Sequence, residues 1–372
     1  MGKRIRSGAL ASLVCLLGAG RQSPPDLGIT VFPPDNPWNW DITGLSVHPN
    51  SDNYIASIGT AAPIREDYSF PYSVVLDAQS NVNVTLGAFA DESDPGPGFG
   101  SPVATPLSPG DVASFPFPAG APIEGGGDAH VLVIDKDNKL LYETYQTSGG
   151  PPWNATCSAV WDLNSNAVRP DGWTSADAAG LPIFPGLIRY DEAAINNQIN
   201  HALRVTCNST QNAHIYPARH HAGSAGGNLP PMGLRLRLKA GKDISGYTGA
   251  ARVVLDALKK HGLIVADNGS AWYISTTVDS RWSSTNMTQI RNMHGSDFEV
   301  VTSVDSNGNP ILPVSGGGTG PPPPAGGGGP PGTGGGGGGG GCGLLGLEAL
   351  AICFLRRRRR ESDGDDGLLK VY

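Results

Sequence analysis

Hydrophobic and polar residues alternate along most of the chain between residues 72 and 303, a period of two that is typical of β-strands. Two pairs of apolar runs predict hairpins: HVLVID with KLLYETYQ around the turn KDN, and LIVAD with SAWYIS around Asn268-Gly269. Further strands are predicted at YSVVLDA, NVNVTLGAFA, CSAVWDL, HALRVT, PPMGLRLRLKA and SDFEVV.

Helical periodicity is confined to short stretches. SGYTGAARVVLDALKKHG places Val254, Leu258 and His261 on one stripe, and Gly262 ends the helix. A short helix is predicted from Tyr190 to about Asn197, and NSDNYIASIG predicts a further helical turn. Many strands with two short helices favour a mainly β fold, an antiparallel β-sandwich or jelly-roll-like single domain over residues 27–313.

The N-terminal residues 1–22 have the features of a secretory signal peptide: a basic start, an apolar run and small residues after it. The run from Ala9 to Leu17 is too short to span a bilayer. Cys15 would suit a lipoprotein signal, but the usual small residue directly before it is absent. We therefore expect the protein to be exported.

The C-terminal end has three parts. Residues 314–341 form a linker of glycine and proline that cannot bury apolar surface, and residues 342–360 combine a short apolar helix with five arginines. A helix of about 14 residues reaches only about 21 Å, short of the roughly 30 Å hydrocarbon core. An acidic tail, residues 361–372, follows.

This order resembles the tripartite C-terminal sorting signals of bacterial surface proteins, the PEP-CTERM, GlyGly-CTERM and MYXO-CTERM group. The resemblance implies a membrane protease that cuts near Gly341-Cys342-Gly343, with Cys342 as the sorting residue, and attachment to the cell surface or outer envelope. Such signals usually end at the basic cluster, whereas this chain continues with ESDGDDGLLKVY. The alternative is a membrane tail that is never processed.

The body resembles a family of secreted bacterial proteins with no assigned activity, through the phrases GWTSADAAGLP, INHALR, PPMG and ALKK. That resemblance implies one domain from about residue 30 to 303 and supplies no reaction. Because the body is exported and contains only Cys157 and Cys207, we expect one disulfide between them. The alternative is two separate buried thiols.

The composition limits the classes of molecule that the protein is expected to bind. A net charge of −7 argues against nucleic acid, which requires clustered lysine and arginine. GxSxG, HExxH and phosphate-binding glycine motifs are absent from the sequence, and we expect no cofactor and a monomer. The expected partners are extracellular polysaccharide and the export and sorting machinery at the membrane.

The densest mixture of tryptophan, acid, histidine and arginine lies between Arg169 and His221. With two polar residues of the HVLVID hairpin, it predicts a cleft lined by His130, Glu143, Asp191, Glu192, His201, Arg204, Arg219 and His220. His130 and Glu143 have an alternative reading as satisfied core groups. No metal site is expected, because the adjacent His220 and His221 would point to opposite faces of a strand.

Two chemistries fit these residue types. A carboxylate pair from Glu143, Asp162, Asp191 and Glu192 would serve a glycoside hydrolase. A histidine or tyrosine base beside an arginine would serve a polysaccharide lyase. An enzyme should gather His201, His220 and an acid in a concavity, whereas a non-catalytic glycan-binding or envelope protein should show a flat row of exposed tryptophans.

Overall fold

The computed structural model of the chain describes residues 27–97, 106–223 and 226–312. The predicted signal peptide, the glycine/proline linker, the C-terminal helix with Cys342 and the acidic tail lie outside the described residues. Within the described ranges, no helix is long and apolar enough to cross a membrane.

Strands make up most of the regular structure. In chain order they are β1 (Arg65–Phe70), β2 (Ser73–Val75), β3 (Val82–Leu86), β4 (Val112–Phe115), β5 (Val131–Asp135), β6 (Leu140–Tyr145), β7 (Ser148–Gly149), β8 (Trp153–Ala155), β9 (Cys157–Asp162), β10 (Leu203–Cys207), β11 (Arg235–Leu238), β12 (Leu263–Asn268), β13 (Tyr273–Thr277) and β14 (Phe298–Val300). The α-helices are α1 (Ser51–Ile58) and α2 (Gly249–Lys260). Short 3-10 turns lie at Pro37–Asn39, Ala90–Glu92, Phe184–Gly186, Ser280–Ser284, Met287–Asn292 and Gly295–Asp297, and a π-helical turn at Asp191–Ile195.

The strands form three sheets. A six-stranded sheet has the order β1-β13-β10-β12-β11-β14, a middle sheet has the order β2-β5-β6-β9, and an outer sheet has the order β4-β3-β8-β7. The pairs β1–β13, β10–β12, β2–β5 and β3–β8 are parallel. The fold is therefore mainly β as predicted, but its sheets are mixed rather than purely antiparallel.

The middle sheet is covered on both faces. Leu132 and Ile134 of β5 belong to the large core shared with the six-stranded sheet, whereas Val131 and Val133 belong to a second core shared with the outer sheet. Every residue of β5 is buried, which explains the continuous apolar run in the sequence. The hairpin of β5 and β6 is confirmed by its antiparallel register.

The second predicted hairpin is wrong. β12 and β13 do not pair with each other, because β10 lies between them, parallel to β12 and antiparallel to β13. Gly269 N and Trp272 N donate to Cys207 O and Thr206 O, so the connection passes over the end of β10. Asn268-Gly269 therefore begins a crossover and does not form a two-residue turn.

The predicted disulfide is also wrong. Cys157 and Cys207 are free, fully buried thiols. Cys157 begins β9 of the middle sheet, and Cys207 ends β10 of the six-stranded sheet. Burial raises the pKa of each thiol to about 12, so both behave as small core residues.

Candidate functional site

Residues 172–188, which we call the central loop, connect β9 towards β10 and are largely buried. Ala179, Ile183 and Phe184 of this loop are fully enclosed in the large core. A buried loop leaves backbone N–H and C=O groups that need partners inside the protein. Several of the residues predicted to line a cleft supply those partners.

His130 forms a hydrogen bond with the backbone of the central loop at Ala176. Its Nε2 lies 2.8 Å from Ala176 O, and its Nδ1 lies 2.5 Å from Glu124 Oε2. Both ring nitrogens face oxygen acceptors, so both donate, and the ring is a buried imidazolium paired with a carboxylate. Burial lowers the pKa of His130, but Glu124 outweighs that effect and raises it to about 9. The alternative reading of His130 as a satisfied core group is the one that fits.

This ion pair predicts a dependence of stability on pH. The folded-state pKa of His130 lies above its unfolded value, so its stabilisation is complete below about pH 6.5 and is lost as pH rises through 9. Urea unfolding of the wild type and of His130→Phe at pH 6.5 and pH 9 measures this directly. We expect the wild type to lose about 2–3 kcal/mol more than the variant over that interval. Equal losses would show that His130 is not charged in the folded protein.

Glu143 binds the backbone of the central loop at a second place, Ile183 and Phe184. Its carboxylate accepts from Ile183 N at 2.9 Å and from Phe184 N at 2.8 Å, where the central loop begins a 3-10 turn. Its side chain is fully buried in β6, and burial raises its pKa to about 7 against the opposing effect of these amides. Glu143 positions the loop and has no contact with solvent.

Arg204 of β10 contacts the central loop at a third place, the side chain of Asp177. Its Nε and one terminal nitrogen donate to the two oxygens of Asp177 in the central loop, each at 2.7 Å. Its other terminal nitrogen donates to Ser275 Oγ at 2.7 Å, and the guanidinium lies over the Phe70 ring. The Asp177 side chain is completely buried, so this bidentate pair neutralises a charge that has no access to water.

Asp267, at the end of β12, is a partly exposed carboxyl beside Arg204 and the buried Asp177. Its Oδ2 accepts from Arg204 at 2.9 Å, and 23% of its side chain is exposed. Burial, followed by the charge of Asp177, raises its pKa, although Arg204 acts in the opposite direction. Arg204 is shared with Asp177 and cannot fully compensate both carboxylates. Asp267 is therefore a partly exposed acid whose pKa is raised above its ordinary value.

Asp128 is the second partly exposed acid beside this cluster. It is half-buried, and its charge contributes to the raised pKa of Asp267. The backbone around it is unusual, because Ala129 has φ 45° and Gln146, whose N–H donates to Asp128 O, has φ 49°. Left-handed conformations at residues other than glycine cost free energy and cluster at functional sites. We call Asp128, Asp177, Arg204 and Asp267 the acid cluster.

The predicted residues Asp191, Glu192 and His201 form a separate group. Glu192 pairs with Arg189, and its Oε2 lies 3.1 Å from His201 Nε2, while His201 Nδ1 lies 2.8 Å from Ala202 O. Burial raises the pKa of Glu192, but Arg189 and then His201 lower it below its usual range. Asp191 is buried in the π-helical turn. These contacts stabilise the segment before β10.

Arg219 and His220 lie at the outer edge of the central loop. Arg219 Nε donates to Arg169 O at 3.0 Å, and His220 Nδ1 donates to Ala178 O at 2.7 Å. His201 has a nearby acid, Glu192, but His220 has a different set of partners. The arrangement of His201, His220 and an acid that we expected of an enzyme is therefore not what these contacts form.

Three half-buried histidines form a stack beside Arg219. The rings of His220 and His221 are 5.8 Å apart and those of His214 and His221 are 5.2 Å apart. His214 Nε2 lies 3.1 Å from Asp171 Oδ1, and its Nδ1 lies 2.9 Å from His221 Nδ1. The expectation that His220 and His221 point in opposite directions is wrong, because this segment is a loop and not a strand. Among the described residues, no three or more of His, Cys, Asp and Glu are arranged to hold a metal ion.

All seven tryptophans lie in described parts of the chain. Trp173 is half-buried, and the other six are buried: Trp38, Trp40, Trp153, Trp161, Trp272 and Trp282. The flat row of exposed tryptophans expected of a glycan-binding module is therefore not formed by these residues.

Sequence reasoning missed Asp267, Asp177 and Glu124. Asp267 directly precedes Asn268-Gly269, which suggested an ordinary turn rather than the end of a buried strand. An acid at the end of an apolar run such as LIVAD was the signal available. In comparisons with known proteins, no family model, no curated protein and no solved structure matches this chain.

Proposed function

We propose that the protein is an exported, surface-attached hydrolase that cleaves glycosidic bonds in extracellular polysaccharide, with Asp267 as the general acid. The observation that carries the proposal is the position of Asp267, a partly exposed carboxyl held by Arg204 beside the buried Asp177. Burial and the charge of Asp177 raise the pKa of Asp267, which favours the protonated form that proton donation to a leaving group requires.

Glycosidases commonly use two carboxyl groups in different environments, one kept protonated by its surroundings. In the acid cluster Asp267 donates a proton to the glycosidic oxygen as the C–O bond breaks, and water adds to the sugar carbon while the Asp128 carboxylate accepts the proton that the water loses. Asp128 supplies the second carboxyl, and the Arg204–Asp177 pair fixes the position of Asp267. His130 and Glu143, which were predicted as cleft residues, form hydrogen bonds with the backbone of the central loop.

The location outside the cell belongs to the same proposal. It rests on the signal-like N-terminus and on the resemblance of residues 314–360 to a bacterial sorting signal. We further propose that the middle and outer sheets pack as a β-sandwich, because side chains of β5 and β8 meet in one apolar core.

The test is hydrolysis of a panel of neutral and acidic polysaccharides by the purified protein, measured as new reducing ends. We expect the wild type to release reducing ends from at least one polysaccharide and Asp267→Asn to release far fewer. Binding without release across the panel would instead favour a non-catalytic glycan-binding or envelope protein.

The histidine stack supports a second candidate, a polysaccharide lyase. The Asp171 carboxylate fixes His214, which faces His221, and Arg219 lies 3.2 Å from the same carboxylate. A histidine base beside an arginine suits removal of a proton next to a uronate carboxylate. Unsaturated uronate products, lost in His221→Ala and retained in Asp267→Asn, would favour this candidate over the hydrolase.

A further inference from the structure

Two hydrogen-bond donors converge on one oxygen of the Asp171 carboxylate. His214 Nε2 lies 3.1 Å from Asp171 Oδ1, and a terminal nitrogen of Arg219 lies 3.2 Å from the same atom. An imidazole N–H beside a guanidinium forms a site for an anionic oxygen, and carboxylates are frequent partners of arginine. The carboxylate that these donors bind in the structure belongs to the protein itself.

His221 keeps the proton of His214 on the nitrogen that faces this site. A carboxylate oxygen only accepts, so His214 Nε2 carries a proton. His214 Nδ1 lies 2.9 Å from His221 Nδ1, and between two neutral rings it accepts the proton of His221. Burial, and then the charges of His214 and His220, lower the pKa of His221, which favours its neutral form. His214 Nε2 is therefore available as a donor to an anion other than Asp171.

The three side chains of this site are accessible to solvent. The exposed fraction of the side chain is 18% for His214, 27% for Arg219 and 69% for Asp171. An exposed ion pair contributes little to stability, because both groups are well solvated when they separate. Another carboxylate can therefore replace that of Asp171 at a small cost in free energy.

The backbone around Asp171 is held in a tight turn. Gly172 N donates to Arg219 O at 2.7 Å, and Trp173 N donates to Pro170 O at 3.2 Å. Gly172 has φ 83°, a conformation that glycine adopts without strain. Withdrawal of the Asp171 carboxylate from the two donors therefore requires only rotation about its side-chain bonds.

The two other rings of the histidine stack offer hydrogen-bond acceptors. His220 Nδ1 donates to Ala178 O, and His221 Nδ1 donates to His214 Nδ1, so the Nε2 atom of each neutral ring carries a lone pair. The rings of His220 and His221 are 5.8 Å apart, with an angle of 15° between their planes. Lone pairs at these positions suit the hydroxyl groups of a ligand.

A tryptophan lies next to the same histidines. Trp173 is half-buried, and it neighbours His220 across Gly180, where an added Cβ would lie 2.5 Å from Trp173 O and 3.3 Å from His220 Cβ. Partly exposed aromatic rings present an apolar face with polar groups at its edge. Such a surface beside two carboxylate donors suits a hydroxyl-bearing ring to which a carboxylate is attached.

We propose that His214 and Arg219 bind the carboxylate of a uronate ring, and that the Asp171 carboxylate occupies this site when the ligand is absent. The ligand carboxylate displaces the Asp171 side chain and accepts from both donors, while His220 Nε2 and His221 Nε2 accept from its hydroxyls. Asp171 thereby lowers the affinity for the ligand. The inference concerns binding alone and rests neither on hydrolysis by Asp267 nor on the lyase reaction, although it involves the same histidines as the lyase candidate.

The test is saturation-transfer NMR of the full chain, titrated with glucuronate and galacturonate and with their neutral counterparts glucose and galactose. We expect at least one uronate to bind at least tenfold more tightly than its neutral counterpart. Asp171→Asn removes the competing carboxylate and should tighten that binding at least threefold. Arg219→Gln removes one donor and should weaken it at least fivefold. Asp256→Asn, which removes the same charge from an exposed pair on α2, should leave the affinity unchanged.

Two results would overturn the proposal. One is the absence of a uronate that binds in preference to its neutral counterpart, and the other is an affinity that Asp171→Asn leaves unchanged or lowers. A gain of affinity does not arise from unfolding, so Asp171→Asn decides the matter if Arg219→Gln is unstable. Asp267→Asn should bind uronate as the wild type does, so failure of this proposal and failure of the hydrolase are distinguishable. Failure of the lyase candidate would be seen only in the assay for unsaturated products.

Discussion

Replacing Arg204 with methionine is expected to lower the free energy of unfolding by about 3–5 kcal/mol. The Asp177 side chain is completely buried and depends on Arg204 for a bidentate pair, and Ser275 would lose its donor as well. Methionine keeps much of the side-chain volume, so the loss would come from an uncompensated buried carboxylate rather than from a cavity. Urea unfolding monitored by circular dichroism measures the change.

Arg252→Met is the matched control. Arg252 pairs with Asp256 on α2, but the two side chains are 40% and 54% exposed. Exposed pairs of this kind contribute about 0–1 kcal/mol. If Arg204→Met lowered the free energy of unfolding by as little as Arg252→Met does, the account would be contradicted. The central loop would then not depend on the acid cluster for its attachment to β10.

Asp267→Asn is expected to reduce kcat/KM on the responsive polysaccharide by about 10²–10⁴-fold, the usual contribution of a general acid. Asparagine has nearly the same size as the protonated acid but does not transfer a proton. Arg204 keeps its bonds to Asp177 and Ser275 in this variant, so the fold should persist. Reducing-end assays at saturating and limiting substrate give kcat and KM separately.

Asp256→Asn removes an exposed acid of α2 and should leave kcat/KM unchanged. An Asp267→Asn protein that folds and retains full activity would contradict the assigned role. Loss of activity together with loss of the folded circular dichroism spectrum would show that Asp267 acts on stability, which would equally contradict it.

Local patterns in the sequence were sufficient for the elements formed by neighbouring residues. The β5–β6 hairpin and α2 each depend on contacts within one short stretch, so their alternation and helical period predict them. The pairing of β10 between β12 and β13 joins strands more than 50 residues apart, and no local pattern contains that information. The Asn268-Gly269 turn signal was therefore misread.

The candidate site shows the same division. His130, Glu143 and Arg204 stood out as polar residues in apolar strands, and the structure places all three against the central loop. Their partners are buried backbone groups and Asp177, which the sequence does not reveal. Residues that hold the central loop in place were therefore predicted to line a cleft. Exposure is a property of the folded chain, and only the structure separates the buried Asp177 from the accessible Asp267.

The most direct test of this account is the titration of the Asp267 carboxyl carbon by ¹³C NMR, assigned by comparison with Asp267→Asn. The account predicts a midpoint clearly above the ordinary value for an aspartate, because burial and the charge of Asp177 disfavour the ionised form. A midpoint near pH 4, the ordinary value for an aspartate, would contradict it, since Asp267 would then be ionised at neutral pH and have no proton to donate.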